Sequence, residues 1–157
     1  MRVPDLGRQG QGWVFLQLIV LGLIALAGVP PSGVSGVPGI ILVVIGGVLI
    51  VAGGVMAFLG IQSLGSSFSP NPRPVDHGDL VETGIYASVR HPIYGGVLLG
   101  ALGWGVLNGS LLAVALTGLL LVVFTLKSIR EEAWLADRYP GYRDYASRTR
   151  RFFPGLI

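Results

Sequence analysis

Apolar positions in this chain do not alternate with polar ones at a strand or surface-helix period; they run in uninterrupted blocks. The first block divides at Val29-Pro30-Pro31-Ser32-Gly33 and at Pro38-Gly39. Proline removes helical hydrogen bonds and glycine is the weakest ordinary helix former, so this cluster predicts a loop between two helices. Those helices are expected over 13–28 and 38–61. The second block divides at the turn signal Asn108-Gly109-Ser110, which predicts further helices over 93–107 and 111–126. At 1.5 Å per residue the last two reach roughly 25 Å each, the dimensions of a tight hairpin. The expected fold is an all-α integral membrane domain of about four transmembrane helices. A loop over 62–92 and a tail over 127–157 lie between and after them.

Charge sharpens this picture. No Asp, Glu, Lys or Arg occurs between Arg8 and Arg73, and none between Arg90 and Lys127. A helical pass through a bilayer needs about 20 apolar residues, and a soluble core rarely leaves such stretches uncharged. Lys and Arg collect on the cytoplasmic side of membrane proteins. With four passes, Arg2, Arg8, Arg73, Arg90 and the seven basic residues from Lys127 to Arg151 all share one side. The loops 29–38 and 108–110 opposite carry no charge. Three passes would send the basic tail across the membrane, so four passes with both termini cytoplasmic is the expected topology. A competing reading of the N-terminus is a signal peptide ending at Ala25-Leu26-Ala27, which would leave the topology from Pro38 onward unchanged.

The chain is 52% hydrophobic and 12% charged, about half the charge of an ordinary soluble domain. It has no cysteine, which excludes disulfides, thiolate metal sites and cysteine nucleophiles. Its net charge of +3 is explained by topology, and no nucleic-acid partner is expected. Glycines recur inside the helices as Gly46-Gly47, Gly53-Gly54 and the Gly96/Gly100 pair. Small residues let helices approach closely in lipid, so they predict tight packing, with a groove open to a lipid chain or cofactor as the alternative.

Two polar clusters flank the last two helices. Arg90 and His91 precede Pro92, which suits the first turn of a helix. A guanidinium and an imidazole at a positive helix terminus suit an anionic group; an interfacial anchor of snorkelling Arg and belt Tyr is the bland alternative. The second cluster, Lys127 to Leu135, extends the fourth helix and carries Glu131-Glu132, with Lys127 and Glu131 four apart on one face. A hairpin brings both clusters to one side, so Arg90, His91, Tyr94, Glu131 and Glu132 are expected in one polar pocket. Tyr139, Tyr142 and Tyr145, spaced by three, predict a short amphipathic helix with an aromatic face that caps it.

The pattern Gly84-x-Tyr86-x-x-x-Arg90-His91-Pro92-x-Tyr94-x-Gly96, an apolar hairpin, then Glu131-Glu132-x-x-Leu135 and Tyr139…Tyr142…Tyr145…Pro154 resembles the isoprenylcysteine carboxyl methyltransferase family. Phospholipid N-methyltransferases are relatives of that family. The resemblance covers about residues 64–156, including Leu64-Gly65, Pro70, Pro72, Pro74 and Leu80-Val81 upstream. It implies S-adenosylmethionine as cofactor, held between the last two helices and the tail. Carried over by position, Tyr86, His91, Pro92, Tyr94, Glu131 and Glu132 would form the cofactor site, and Arg90 and Glu132 would be catalytic; no metal is implied. Lys127 stands where an Arg often precedes the glutamates, and lysine cannot make a planar two-pronged bond to a carboxylate.

The resemblance further implies a lipophilic or lipid-modified acceptor and a site at the cytoplasmic face of a membrane, read as a bacterial plasma membrane. A carboxylate acceptor needs only a cation to orient it, Arg90 or Arg150; an amine needs a base, Glu131, Glu132 or His91. The soluble methyltransferase plan is absent, since Gly7-x-x-Gly10-x-Gly12 follows no strand. An NADPH-dependent sterol-reductase-like enzyme and a non-catalytic membrane scaffold are the alternatives.

Overall fold

The computed structural model describes residues 3–29, 36–69, 71 and 78–155. Arg2, the Pro30–Gly33 part of the first loop and the segment of Pro70, Pro72, Arg73 and Pro74 lie outside the described residues. Among the described residues five α-helices follow in order: α1 (Gln11–Ala27), α2 (Gly36–Leu64), α3 (Pro92–Leu107), α4 (Leu111–Arg138) and α5 (Tyr142–Arg148). The described residues contain no strand beyond a single bridge between Val89 and Arg150.

α2 and α4 are long and apolar enough to cross a membrane. α1 and α3, of 17 and 16 residues, are apolar but shorter, about 25 Å against the ~30 Å hydrocarbon core. α2 extends three residues beyond the expected end at Ile61, through Gln62-Ser63-Leu64, because polar residues in a last helical turn can reach water. α4 is apolar from Leu111 to Leu126 and continues as a polar extension from Lys127 to Arg138. Ser110 starts it, accepting from the amide of Ala113 at 3.2 Å and donating to the carbonyl of Ala27 at 2.7 Å.

α2 packs on α3, and both α3 and α1 pack on α4. Glycine sets the α2–α3 distance. A Cβ at Gly53 would lie 2.4 Å from the carbonyl oxygen of Gly96, and one at Gly46 would lie 2.6 Å from that of Gly103. The neighbours Gly47, Gly54 and Gly100 would meet nothing within 4 Å. Only the first glycine of each pair therefore carries the close approach, and a seven-residue spacing keeps Gly46, Gly53 and Gly60 on one seam. The groove expected as the alternative use of this face is filled by α3.

Trp13, Val20 and Ile24 of α1 form one core with Leu98, Leu120, Phe124 and Phe152. Outside it the helices display large apolar side chains. Phe15 and Val51 are each 67% exposed and Leu111 is 85% exposed, surfaces that an aqueous environment would penalise and a lipid one would not.

Candidate functional site

A 3-10 turn over Gly84–Ala87 leads into an extended stretch ending at His91, and Pro92 opens α3. Proline keeps the preceding residue out of the helical region, which holds His91 at φ −126°, ψ 60°. The tail runs alongside this stretch. The amides of Arg90 and His91 donate to the carbonyls of Arg150 and Arg151 at 2.8 and 2.9 Å, and the amide of Arg150 donates to Ser88 at 2.9 Å. Backbone donors at the start of α3 are thus satisfied by the C-terminal tail.

Glu132 lies at the centre of the polar network. Arg151 donates to both its oxygens, Nε to Oε1 at 3.1 Å and Nη2 to Oε2 at 3.0 Å. Arg90 Nε and His91 Nε2 each lie 3.1 Å from Oε1. The Arg90 Nη1 also donates to the carbonyl of Ala146 at 2.8 Å and to the carbonyl of Thr149. Burial alone would raise the Glu132 carboxyl, but the hydrogen bonds and charges of His91 and Arg151 outweigh it and hold the group at about 2. Three chain segments, α4, the α3 entry and the tail, are pinned on this one carboxylate.

Glu131, one residue away on α4, faces a different neighbourhood. It accepts from the Tyr94 hydroxyl at 2.7 Å, and His91 Nδ1 lies 3.8 Å from it. The rings of His91 and Tyr94 stack at 5.3 Å with planes 3° apart, and Tyr94 stacks in turn on Phe124 at 4.7 Å. The ammonium of Lys127 donates to Gln17 Oε1 at 2.6 Å and sits 4.8 Å over the Tyr94 ring.

These side chains border a cavity of about 230 Å³, just below the roughly 300–1,000 Å³ of typical small-molecule sites. Tyr86, Arg90, His91, Tyr94 and Glu131 line it; Pro92 and Glu132 do not. Its lining includes the polar and aromatic residues Asp79, Tyr139, Tyr142 and Tyr145 and also Leu21, Val97 and Phe124 of the apolar helices. α5 supplies Tyr142 and Tyr145 to the cavity, whereas Tyr139, expected on the same short helix, caps the end of α4 and lines the cavity from there. The Tyr145 hydroxyl donates to the carbonyl of Tyr86 at 2.8 Å. Burial pushes Tyr145 up to about 12 and also raises Tyr86 and Tyr142, so all three hydroxyls stay protonated at neutral pH. The Tyr142 hydroxyl is buried without a hydrogen-bond partner among the described residues.

The sequence pattern did not single out Gln17, Asp79 or Arg151. Gln17 had a signal, as the one strongly polar side chain inside the first apolar block. Arg150, weighed as an orienting cation, has an exposed side chain, and Arg151 takes the inward place.

A cofactor with a sulfonium and an ammonium needs anionic groups and aromatic faces, and its hydroxyls need partners. Glu131 and Asp79, the His91–Tyr94 stack and the orphaned Tyr142 hydroxyl meet those needs, so the residues present fit S-adenosylmethionine.

Two curated proteins are similar to part of this chain. The cobalt-zinc-cadmium resistance protein CzcN of Cupriavidus metallidurans is 41% identical over 78 residues, 49% of this chain and 36% of that protein. The nickel-cobalt-cadmium resistance protein NccN of Alcaligenes xylosoxydans xylosoxydans is 38% identical over 79 residues, 50% of this chain and 37% of that protein. The match thus spans little more than a third of the length of either relative. The family model for phospholipid methyltransferases matches residues 41–141, from α2 through the polar extension of α4. With the family model matching more than half of the chain, this protein belongs to the phospholipid methyltransferase family, which includes the isoprenylcysteine carboxyl methyltransferase-like membrane enzymes.

Proposed function

We propose that this chain is an integral membrane methyltransferase that uses S-adenosylmethionine to methylate a lipophilic acceptor at the cytoplasmic interface of a bacterial plasma membrane. In this reading all four apolar helices cross the bilayer and both termini are cytoplasmic, which keeps every Lys and Arg on one side. The observation that carries it is the cavity's position. Its lining joins residues at the polar ends of α3 and α4 to apolar residues of α1, α3 and α4, so a polar cofactor held there would lie next to the apolar surface along which a lipophilic acceptor would approach.

When bound, the cofactor supplies an electrophilic methyl group on a sulfonium. The protein's part is to position reactants and exclude water. The aromatic faces of His91 and Tyr94 attract a cation, and Glu131 adds a full negative charge that Tyr94 holds in place. Glu132 accepts four N–H groups, so it serves as a positioning residue that aims His91 and Arg90. Arg90 shares that role, since its guanidinium is engaged by Glu132 and tail carbonyls. An amine acceptor would lose its proton to Glu131 or His91; a carboxylate needs no base.

The relatives' names concern resistance to metal ions. On this reading the present chain acts on a membrane-resident acceptor and not on the ion.

The test is calorimetric binding of S-adenosylhomocysteine to detergent-purified protein, with NADPH alongside and His91→Ala as control. Binding that is lost in the variant supports the methyltransferase. NADPH binding alone would transfer the site to a reductase, and binding of neither by folded protein would favour a scaffold.

A further inference from the structure

We infer that one face of α3 is a groove for a single apolar chain of the acceptor, with Gly100 as its floor and Trp104 as its stop. This inference rests on the methyltransferase reading and names the residues that select the acceptor by chain length.

Ile93, Val97, Gly100 and Trp104 follow one another on α3 at steps of four, three and four, so they share one face of the helix. Ile93 and Val97 line the cavity. The faces on either side are taken. A Cβ at Gly96 or Gly103 would run into the backbone of α2, and one at Gly105 would lie 3.0 Å from Val114 of α4. The face between them stays open, because α2 packs on α3 and α1 on α4, with no packed α1–α2 interface among the described residues. Ile93, Val97, Gly100 and Trp104 are accordingly half-buried, whereas Gly96, Gly103 and Gly105 are buried. A Cβ at Gly100 would meet nothing within 4 Å, so the face is hollow in its middle.

Trp104 closes the end away from the cavity. Its Nε1 donates to the carbonyl of Ala25 at 3.4 Å, and a Cβ at Gly28 would lie 1.9 Å from the same nitrogen. The indole therefore reaches from α3 to the last turn of α1. Leu21, which lines the cavity, is four residues before Ala25, so α1 flanks the groove from the cavity to the indole.

The occupant follows from this shape. The hollow is one missing side chain wide, the width of one chain. Its length from Val97 to Trp104 is about 10 Å at 1.5 Å per residue. An extended chain advances about 1.2 Å per bond, so roughly eight carbons fit. Because the groove starts at the cavity, a chain lying in it has its polar end beside His91 and Tyr94, where the acceptor must present its reactive atom. A bilayer lipid that merely covers the helix gains nothing from ending at an indole.

The experiment photolabels the full chain in nonionic detergent with alkanoates that carry a diazirine on the last carbon, and maps the label by mass spectrometry. The dodecanoate probe is expected to label α3 between Gly100 and Trp104 and α1 near Ala25, and excess plain dodecanoate should remove that label. Gly100→Leu points a side chain into the hollow and should cut the labelling about tenfold by filling it. Trp104→Ala should admit the hexadecanoate probe, which wild type excludes. Groove labelling that survives excess dodecanoate, or is matched on outward-facing Phe15 and Val51, marks ordinary detergent contact and overturns the inference. Labelling unchanged by Gly100→Leu overturns it too, even if Trp104→Ala fails to fold, and entry of hexadecanoate into wild type removes the stop. S-adenosylhomocysteine binding is measured on the same samples. Its absence from a wild type whose groove is competitively labelled removes the methyltransferase reading and leaves the chain site standing; its presence without such labelling does the reverse.

Discussion

Glu132 receives both prongs of the Arg151 guanidinium, at 3.1 and 3.0 Å, so the end of the tail is tied to the polar extension of α4. The same carboxylate holds Arg90 and His91, which begin α3. The pair therefore joins three segments that are far apart in sequence, and the cavity owes its wall to that joint.

Removing the carboxylate should open the joint. Glu132→Ala leaves two guanidinium groups and an imidazole without their common acceptor, and the loss is expected to be roughly 3 kcal/mol. Arg151→Lys keeps the charge but loses the two-pronged geometry, at about 1 kcal/mol. Thermal unfolding in detergent reads both, and equal midpoints for wild type and Glu132→Ala would refute the joint.

Acid should act through the same group. Its folded value of about 2 lies below the ordinary 4.5, so its contribution is fully present above about 4.5 and is lost as pH falls toward 2. The shift corresponds to on the order of 3 kcal/mol. Melting temperature should stay level from pH 8 to pH 5 and fall below that. Glu132→Gln should flatten the acid limb; an unchanged limb would assign it to other carboxylates.

The α2–α3 seam predicts opposite signs for adjacent glycines. Gly53→Ala places a Cβ 2.4 Å from the Gly96 carbonyl and should destabilise by roughly 1–3 kcal/mol. Gly54→Ala meets open space and improves helix propensity, a gain of up to about 1 kcal/mol. Melting curves of the two variants should move in opposite directions.

Tyr94→Phe removes the hydroxyl that holds Glu131 at 2.7 Å and keeps the ring stack on His91. Losing one hydrogen bond to a charged group costs about 1.5–3 kcal/mol, so S-adenosylhomocysteine affinity should fall tenfold or more. Calorimetry on the variant checks this, and unchanged affinity would remove Glu131 from the cofactor site.

Tyr142 offers a test with two readouts. Its buried hydroxyl has no partner among the described residues, so Tyr142→Phe should leave the ligand-free melting point unchanged or slightly higher. The same variant should lose part of the stabilisation that S-adenosylhomocysteine confers on wild type. A full ligand-induced shift in the variant would show that the hydroxyl does not meet the ligand.

The helical blocks were legible in the sequence because a bilayer demands about 20 apolar residues per pass and tolerates no stray charge between them. The gathering of Arg90, His91, Tyr94, Glu131 and Glu132 was legible as well, because a short turn at Asn108-Gly109-Ser110 leaves α3 and α4 no course but to return side by side. Tertiary structure decided the rest. Gly53 and Gly54 are identical in sequence terms, and only the angle at which α3 lies tells which one touches it. Arg150 and Arg151 are adjacent, and the bridge at Val89 sends one outward and the other onto Glu132. Lys127 and Glu131 share a helical face, yet the ammonium's hydrogen bond to Gln17 depends on α1 packing against α4. Local periodicity sets which residues form a helix and which face they share. Which helix meets that face is a property of the assembled bundle, where close packing and the pairing of buried charge are settled together.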